Sequence, residues 1–265
     1  MKLNKENIIK NLQLVQEQSP LVHNITNYVV MNNTANALLA VGASPVMAHA
    51  IEEMEAMVAI AGTLVINIGT LDAQWVEGML AAGKAANKKG IPIILDPVGA
   101  GATPFRTKTC WEIIETCNPT IIRGNSSEIM ALVNEGIQTK GVDSTMASDD
   151  AVTGAKELAK KTNSIVVISG ATDYITDGTT TYTIENGHPL MPKVTGLGCT
   201  ASALCGAFSV IENNTLEACT SAMAIMGIAG ELAAEKATGP GTLQLHFLDA
   251  LYSITAKEVS DLYKA

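Results

Sequence analysis

Short apolar runs alternate along the chain with longer stretches in which apolar residues recur every three or four positions. The short runs predict buried strands, and the longer spacing predicts amphipathic helices. The predicted strands cover residues 20–24, 44–48, 63–68, 91–96, 120–122 and 165–169. The predicted helices cover residues 5–18, 28–40, 51–59, 72–89, 107–117, 126–133 and 149–161. Strands separated by helices of this length are typical of a parallel sheet with helices on both faces.

A predicted hairpin interrupts this alternation. Residues 174–176 and 179–184 are predicted strands, and the Asp-Gly pair at 177–178 is typical of a two-residue hairpin turn. Beyond the hairpin the pattern predicts no further strand, and it predicts three helices that end near Met226, Lys236 and Tyr263. The polar stretch 136–148 is predicted to be a loop.

The composition indicates one folded unit. The chain has no Pro-, Gly- or Ser-rich linker, no internal repeat and no low-complexity segment, so we expect a single domain over residues 1–265. An apolar fraction of 47 % with a charged fraction of 16 % is typical of a chain that buries a large core. We therefore predict an α/β fold with a mostly parallel central sheet, helices on both faces and a C-terminal run of helices.

Charge and cysteine content narrow the classes of partner. The formal net charge of −9 disfavours nucleic acid, whose binding depends on Lys and Arg. No run approaches about eighteen apolar residues without a charge, so no membrane span is expected. The first residues lack the hydrophobic stretch of a signal peptide, and the five cysteines form no C-x-x-C pair. We expect a cytoplasmic protein that acts on small molecules.

Two glycine-containing segments carry candidate chemistry. Asp96 ends the strongest predicted strand and precedes Pro-Val-Gly-Ala-Gly; ligands in open α/β sheets lie outside such strand ends. Asp96 is therefore either a solvated turn carboxylate or an acid on the magnesium or phosphate side. The second segment, residues 194–201, opens a helix. Its glycines let the backbone approach a ligand, and the unpaired N–H groups at the helix start form an anion site without net positive charge.

Two further glycine-containing segments are weaker candidates. Residues 78–85 almost match a phosphate-binding P-loop, but Ala85 replaces the required Ser or Thr and the segment lies inside a predicted helix. Residues 238–242 are predicted as a turn between helices, with a backbone position near a nucleotide base as the alternative.

These segments together resemble a known family. The chain resembles ribokinase-like kinases at four places: Asp-Pro-Val at 96–98, Arg-Gly-Asn-Ser-Ser-Glu at 123–128, Ser-Gly at 169–170 and Thr-Gly-Leu-Gly at 195–198. It resembles the hydroxyethylthiazole kinases at two more specific places: Val-His-Asn-Ile-Thr-Asn-Tyr-Val at 22–29 and Gly-Ala-Ser-Pro-Val-Met at 42–47. The motifs cover nearly the whole chain in the expected order.

The resemblance implies transfer of the ATP γ-phosphoryl group to 4-methyl-5-(2-hydroxyethyl)thiazole with Mg²⁺. It also implies a homotrimer with sites between subunits, so Met47 would serve a neighbouring subunit. The implied roles fall into four groups: thiazole binding by Asn24, Met47 and Gly196; ATP binding by Arg123, Ser169 and Gly198; the magnesium side at Asp96 and Glu128, partly through water; and catalysis at Cys199.

Cys199 departs from the general ribokinase-like pattern, which the resemblance implies should have Asp at this position as a base. A free thiol has a pKa of about 8.5, and a helix N-terminus can lower it. Since positioning and electrostatics supply most of the catalysis in phosphoryl transfer, a poor base is tolerable. Cys199 is therefore expected to orient the substrate hydroxyl and accept its proton late. The alternative is a small residue that fits while the proton passes to phosphate or water.

Three other functions stay open at this level. One is a kinase of the same fold that acts on a hydroxymethylpyrimidine or a similar alcohol. Another is a nicotinamide-nucleotide hydrate dehydratase, a lyase of related fold that would be expected to keep the missing Asp. The third is a non-catalytic nucleotide-binding regulator.

Overall fold

The computed structural model describes residues 2–136 and 148–265. The strands are β1 Leu21–Ile25, β2 Ser44–Val46, β3 Thr63–Asn67, β4 Ile93–Asp96, β5 Ile121–Asn125, β6 Ile165–Ser169, β7 Asp173–Thr176 and β8 Thr181–Ile184. The helices are α1 Lys5–Gln18, α2 Met31–Val41, α3 Met54–Ile60, α4 Ala73–Lys89, α5 Pro104–Cys117, α6 Ser126–Gly136, α7 Ser148–Thr162, α8 Leu197–Ile211, α9 Thr215–Lys236, α10 Pro240–Ser253 and α11 Ala256–Leu262.

All of these strands join one sheet in the order β2-β1-β3-β4-β5-β6-β7-β8. Pairing is parallel from β2 to β6, and β7 and β8 add antiparallel to that edge. Side chains of β3 alternate between the two faces of the sheet. Val65 packs with α8 and α9 on one face, and Leu64 and Ile66 pack with α3 and α4 on the other. The predicted mostly parallel α/β fold with helices on both faces is confirmed.

A lysine closes the junction between α3 and β3, at the amino end of the strand. The ammonium group of Lys89, the last residue of α4, donates to the carbonyl oxygens of Val58, Ala59 and Ala61 at 3.1, 2.8 and 2.6 Å. The carbonyls at a helix end lack partners within the helix, so a cation there satisfies them. The contact links the end of α4 to the end of α3.

The predicted hairpin is confirmed, but its turn is longer than two residues. Thr176 pairs with Thr181, which leaves four residues in the loop. The side chain of Asp177 accepts hydrogen bonds from the N–H groups of Thr179 and Thr180 at 2.8 and 2.6 Å. These bonds close the loop around Asp177 in place of the compact Asp-Gly turn.

The prediction of three helices after the hairpin is wrong, because the described residues there form α8, α9, α10 and α11. The expected helix end near Met226 is also wrong, since α9 continues through Gly227 to Lys236. A Cβ atom at Gly227 would lie 2.6 Å from the backbone oxygen of Asn186, so this glycine allows close packing. The predicted loop 136–148 lies outside the described residues except for its two ends.

By length and composition, α9 is the one helix in the described part of the chain that could cross a membrane. In the apolar window of that helix, 83 % of the residues are buried inside the protein. It packs against α8 and α10 as a core helix.

Candidate active site

The carboxyl ends of β3, β4 and β5 face the beginning of α8 and enclose a pocket of about 380 Å³. Its walls come from four chain segments brought together by the sheet: the segment after β1, the strand ends, the start of α6 and the turn before α8. The lining residues are Asn27, Val29, Val30, Gly69, Asp96, Val98, Arg123, Asn125, Glu128, Thr195, Gly196, Gly198 and Cys199. Six of the nine predicted site residues are in this set: Asp96, Arg123, Glu128, Gly196, Gly198 and Cys199.

Asp96 is buried at the end of β4. One carboxylate oxygen, Oδ2, accepts hydrogen bonds from Asn67 Nδ2 and Ser202 Oγ, both at 2.8 Å. The other oxygen, Oδ1, is buried without a partner. Burial raises the pKa of Asp96 to about 6, against the opposing charge of Arg123, whose Nη1 lies 4.0 Å from Oδ2. The unpartnered oxygen is therefore available to a cation, and the solvated-turn alternative is excluded by burial.

Glu128, in the first turn of α6, closes the turn that follows Asp96. Its Oε1 accepts the N–H of Gly99 and its Oε2 accepts the N–H of Asn125, both at 2.9 Å. The carboxylates of Asp96 and Glu128 thus both lie at the carboxyl ends of the strands. Asp96 has one oxygen without a partner, whereas both oxygens of Glu128 accept backbone N–H groups. Glu128 connects the loops after β4 and β5.

Arg123 lies inside β5 and points into the pocket with little exposure. Its Nη2 forms a short hydrogen bond with Ser169 Oγ at the end of β6, so Ser169 supports the guanidinium although it does not itself line the pocket. A Cβ atom at Gly198 would lie 3.0 Å from Arg123 Nη1. The glycine therefore lets the start of α8 approach the cation closely.

The beginning of α8 exposes backbone N–H groups to the same space. The first bond of the helix runs from the N–H of Thr200 to the carbonyl of Gly196 at 2.9 Å, so the N–H groups of residues 197–199 have no partner inside the helix. Gly196 has φ +85°, and a Cβ atom there would lie 2.8 Å from Val30 Cγ1. The turn requires glycine, and the dipole of α8 favours an anion at this position.

Cys199 places its thiol within 3.6 Å of Asn27 Nδ2. Burial, with the nearby negative charge of Asp96, raises the pKa of Cys199 to about 11. The lowering that a helix N-terminus can produce is therefore outweighed, and the thiol keeps its proton at neutral pH. A protonated thiol cannot take the proton of a hydroxyl group, so only the minor thiolate form could act as a base here.

Asn24 and Met47 lie outside the set of residues that line the pocket in one subunit. Asn24 is buried in β1, where its Nδ2 donates to the carbonyl of Val22 at 2.9 Å and its Oδ1 has no partner. Met47 follows β2 and is half-buried. Their predicted roles stay predictions.

Two asparagines of the site were missed by sequence reasoning. Asn67, the last residue of β3, donates to Asp96 and accepts from Asn27 Nδ2 at 2.8 Å. Asn27, which belongs to the same predicted motif as Asn24, connects this pair to Cys199. A polar residue at a strand end was the available signal for Asn67. Asn27 lies two residues after the end of β1 and had a similar signal.

Comparisons with solved structures define the class. A ribokinase-like superfamily protein from Enterococcus faecalis superposes with a TM-score of 0.68 at 14 % identity, covering 97 % of this chain and 95 % of the other. A pyridoxal kinase from Staphylococcus aureus superposes with a TM-score of 0.63 at 17 % identity, covering 80 % and 88 %. At such identities the likeness shows the fold alone: the chain has the ribokinase-like fold.

The family follows from closer matches. The model of the hydroxyethylthiazole kinase family matches residues 12–257. A hydroxyethylthiazole kinase from Syntrophus aciditrophicus is 56 % identical over 98 % of this chain and 97 % of its own. The structure of a hydroxyethylthiazole kinase protein from Pyrococcus horikoshii has a TM-score of 0.92 and 46 % identity, covering 98 % of both chains. The chain belongs to the hydroxyethylthiazole kinase family, as its motifs predicted, and is a phosphotransferase.

Proposed function

We propose that this chain transfers the γ-phosphoryl group of ATP to the hydroxyl of 4-methyl-5-(2-hydroxyethyl)thiazole, a reaction of thiamine biosynthesis. The hydroxyl oxygen forms a bond to phosphorus, the bond from phosphorus to the bridging oxygen breaks, and ADP leaves. The observation that carries this proposal is the pocket that the start of α8 lines together with Arg123 and Asp96.

The proposed phosphoryl site uses the main chain in place of many cations. The N–H groups of residues 197–199 donate to phosphate oxygens, and Arg123 adds one buried positive charge held by Ser169. Donors fixed in place before the reaction stabilise the charge that spreads over the transferring group. This arrangement explains how a chain with net charge −9 can bind ATP.

The metal site proposed at Asp96 fits the donors present. Mg²⁺ is held by one or two carboxylates together with phosphate oxygens and water, and it would neutralise charge on the phosphates. Asp96 Oδ1 is buried and unpartnered, as expected of an oxygen that faces a cation. Glu128 contributes through water and by fixing the turn after Asp96. Within the described residues no three acidic, His or Cys side chains group as a metal site, so phosphate and water complete the set.

We propose that Cys199 orients the acceptor hydroxyl through its protonated thiol. A thiol that holds its own proton cannot accept another, so the raised pKa favours passage of the hydroxyl proton to a phosphate oxygen or to water. Cys199 accepts that proton, late in the reaction, only in its thiolate form. Asn27 holds the thiol in place from the opposite side of the pocket.

We also propose that the thiazole ring is bound at a subunit boundary in a homotrimer. Two large apolar side chains beside the pocket, Tyr28 and Val29, are 60 % and 66 % exposed in the single chain. In the trimer, Met47 from a neighbouring subunit would cover this surface. Asn24 would bind the thiazole in the pocket of its own subunit. Residues 1–265 would act as one domain around the continuous sheet. The five free cysteines support a reducing compartment, which we take to be the cytoplasm.

The test is release of ADP from ATP and Mg²⁺ with a panel of thiazole, hydroxymethylpyrimidine and sugar alcohols. We expect release with the hydroxyethylthiazole. Release with a pyrimidine alcohol alone would select the related kinase activity instead. No release with any alcohol, from a protein that still binds ATP, would favour the regulator and contradict the proposal.

A further inference from the structure

Arg106, in the first turn of α5, forms a clamp between two loops of the active site. Its Nη1 donates to the carbonyl of Ile68 at 2.8 Å and of Val98 at 2.7 Å, and its Nη2 donates to the carbonyl of Gly69 at 2.9 Å. One half-buried guanidinium therefore holds the loop after β3 and the turn after β4 together.

Both clamped loops carry groups that face the pocket. Gly69 and Val98 line it directly. Asn67, just before the first clamped carbonyl, donates to Asp96, and its side-chain oxygen accepts the N–H of Gly69 at 2.9 Å. A shift of either loop would therefore move the carboxylate of Asp96.

The clamp reaches the second carboxylate through Gly99. This glycine has φ +73°, and a Cβ atom there would lie 3.3 Å from Arg106 Cδ, so the turn lies directly on the arginine side chain. Its N–H is the donor that Glu128 Oε1 accepts. The arginine itself is placed by Thr103, whose hydroxyl caps α5 by accepting the N–H of Arg106.

We propose that Arg106 is a positioning residue for phosphoryl transfer, fixing the turn that joins Asp96 to Glu128 against the loop that carries Asn67. The inference rests on the proposed function. Arg106 is absent from the pocket lining, so it acts through the two loops. A guanidinium suits this task because its rigid fork of donors reaches carbonyls on both loops at once.

Lys89 supplies a matched control. It also donates to three backbone carbonyls, at the opposite end of β3 and away from the pocket. Arg106→Met and Lys89→Met each remove one cationic clamp while keeping an unbranched apolar stem. A purely structural role predicts similar consequences for the two variants, whereas a positioning role does not.

The experiment measures amide hydrogen exchange without ligands and steady-state kinetics for both variants and the unaltered protein. In Arg106→Met we expect the amides of residues 98–101 to exchange at least about tenfold faster. We expect kcat to fall about 100-fold with KM for the thiazole alcohol nearly unchanged, since small misplacements have effects of this size. Lys89→Met should leave both readouts unchanged: the exchange of the amides of residues 98–101 and kcat.

Unchanged exchange at the amides of residues 98–101, or kcat within about twofold of the unaltered protein, would overturn the inference. If Arg106→Met does not fold, Arg106→Lys takes its place, because it keeps the charge but loses the second donor nitrogen; the same two criteria apply. If the unaltered protein releases no ADP with any alcohol, the proposed function fails, and the exchange data still decide whether Arg106 fixes the loops.

Discussion

Asn67 and Asp96 end neighbouring parallel strands, and Asn67 Nδ2 donates to Asp96 Oδ2 across 2.8 Å. With Ser202 as the second donor, this bond occupies one oxygen of the carboxylate and leaves Oδ1 buried without a partner. The pair therefore sets which oxygen of Asp96 is left free, and Oδ1 is the one that we propose to hold the cation.

Replacing Asn67 by Leu should release this orientation. The substitution keeps the branching of the side chain but removes the donor to Asp96 and the acceptor for Asn27 and Gly69. We expect kcat to fall by about 10- to 100-fold, with a loss of about 1–3 kcal/mol in stability because buried groups lose partners. Steady-state kinetics and denaturant unfolding measure the two effects; a variant with full kcat would contradict the orienting role.

Removing the carboxylate in Asp96→Asn should depress turnover and weaken the dependence on magnesium. The amide preserves size and the bond to Ser202, but it cannot neutralise a cation. The half-saturating Mg²⁺ concentration at fixed ATP is the measurement, with Ser202→Ala as the control that removes one donor and keeps the charge. An unaltered magnesium titration in Asp96→Asn would rule out the proposed metal role.

Cys199→Asp should preserve or raise kcat if this position receives the proton. An ionised carboxylate can accept a proton at neutral pH, whereas a thiol whose pKa is about 11 already holds its own. Cys199→Ala is the matched control, because it keeps a small side chain and removes proton-accepting capacity. Equal kcat values for the Ala variant and the unaltered protein would instead favour direct transfer of the proton to phosphate or water.

Asp173 gives a prediction for stability against pH. Burial raises the pKa of this carboxyl to about 6, in spite of the hydrogen bond from the N–H of Gly170 and the charge of Arg123. A raised folded-state pKa means that the folded protein holds the proton more strongly than the unfolded chain. The contribution to stability is therefore greatest below the unfolded pKa of 3.8 and is lost as pH rises towards 6.

Asp173→Asn should remove this dependence, since the amide oxygen can still accept the Gly170 N–H. From the shift, the variant should gain on the order of 3 kcal/mol relative to the unaltered protein at about pH 8, and the gain should shrink towards about pH 4. Denaturant unfolding at several pH values measures it. A constant difference between the two proteins across the range would show that Asp173 does not titrate as described.

The strands, and the position of the site at their carboxyl ends, were predicted from the sequence. Apolar runs that end in polar residues indicate both. Asp96 and the start of α8 were identified in this way. The contact of Asn67 with Asp96 depends on the register between β3 and β4, which no local pattern encodes. The contacts of Arg106 could not be predicted from the sequence either. Its three acceptors are backbone carbonyls, which every residue has, and only the fold brings them to the arginine.

In two places packing outweighs a local preference. A helix end was predicted near Met226, but α9 continues through Gly227, which allows it to pack closely on Asn186. The position of Cys199 at a helix start suggested a lowered pKa, but burial beside Asp96 raises it. In both cases the deciding neighbours lie far away in the sequence.

The most direct measurement is a structure with Mg²⁺ and a non-hydrolysable ATP analogue. The account predicts γ-phosphate oxygens within about 3.2 Å of the N–H groups of residues 197–199, with Arg123 on the same phosphate. A γ-phosphate bound elsewhere, with those N–H groups facing water, would contradict it.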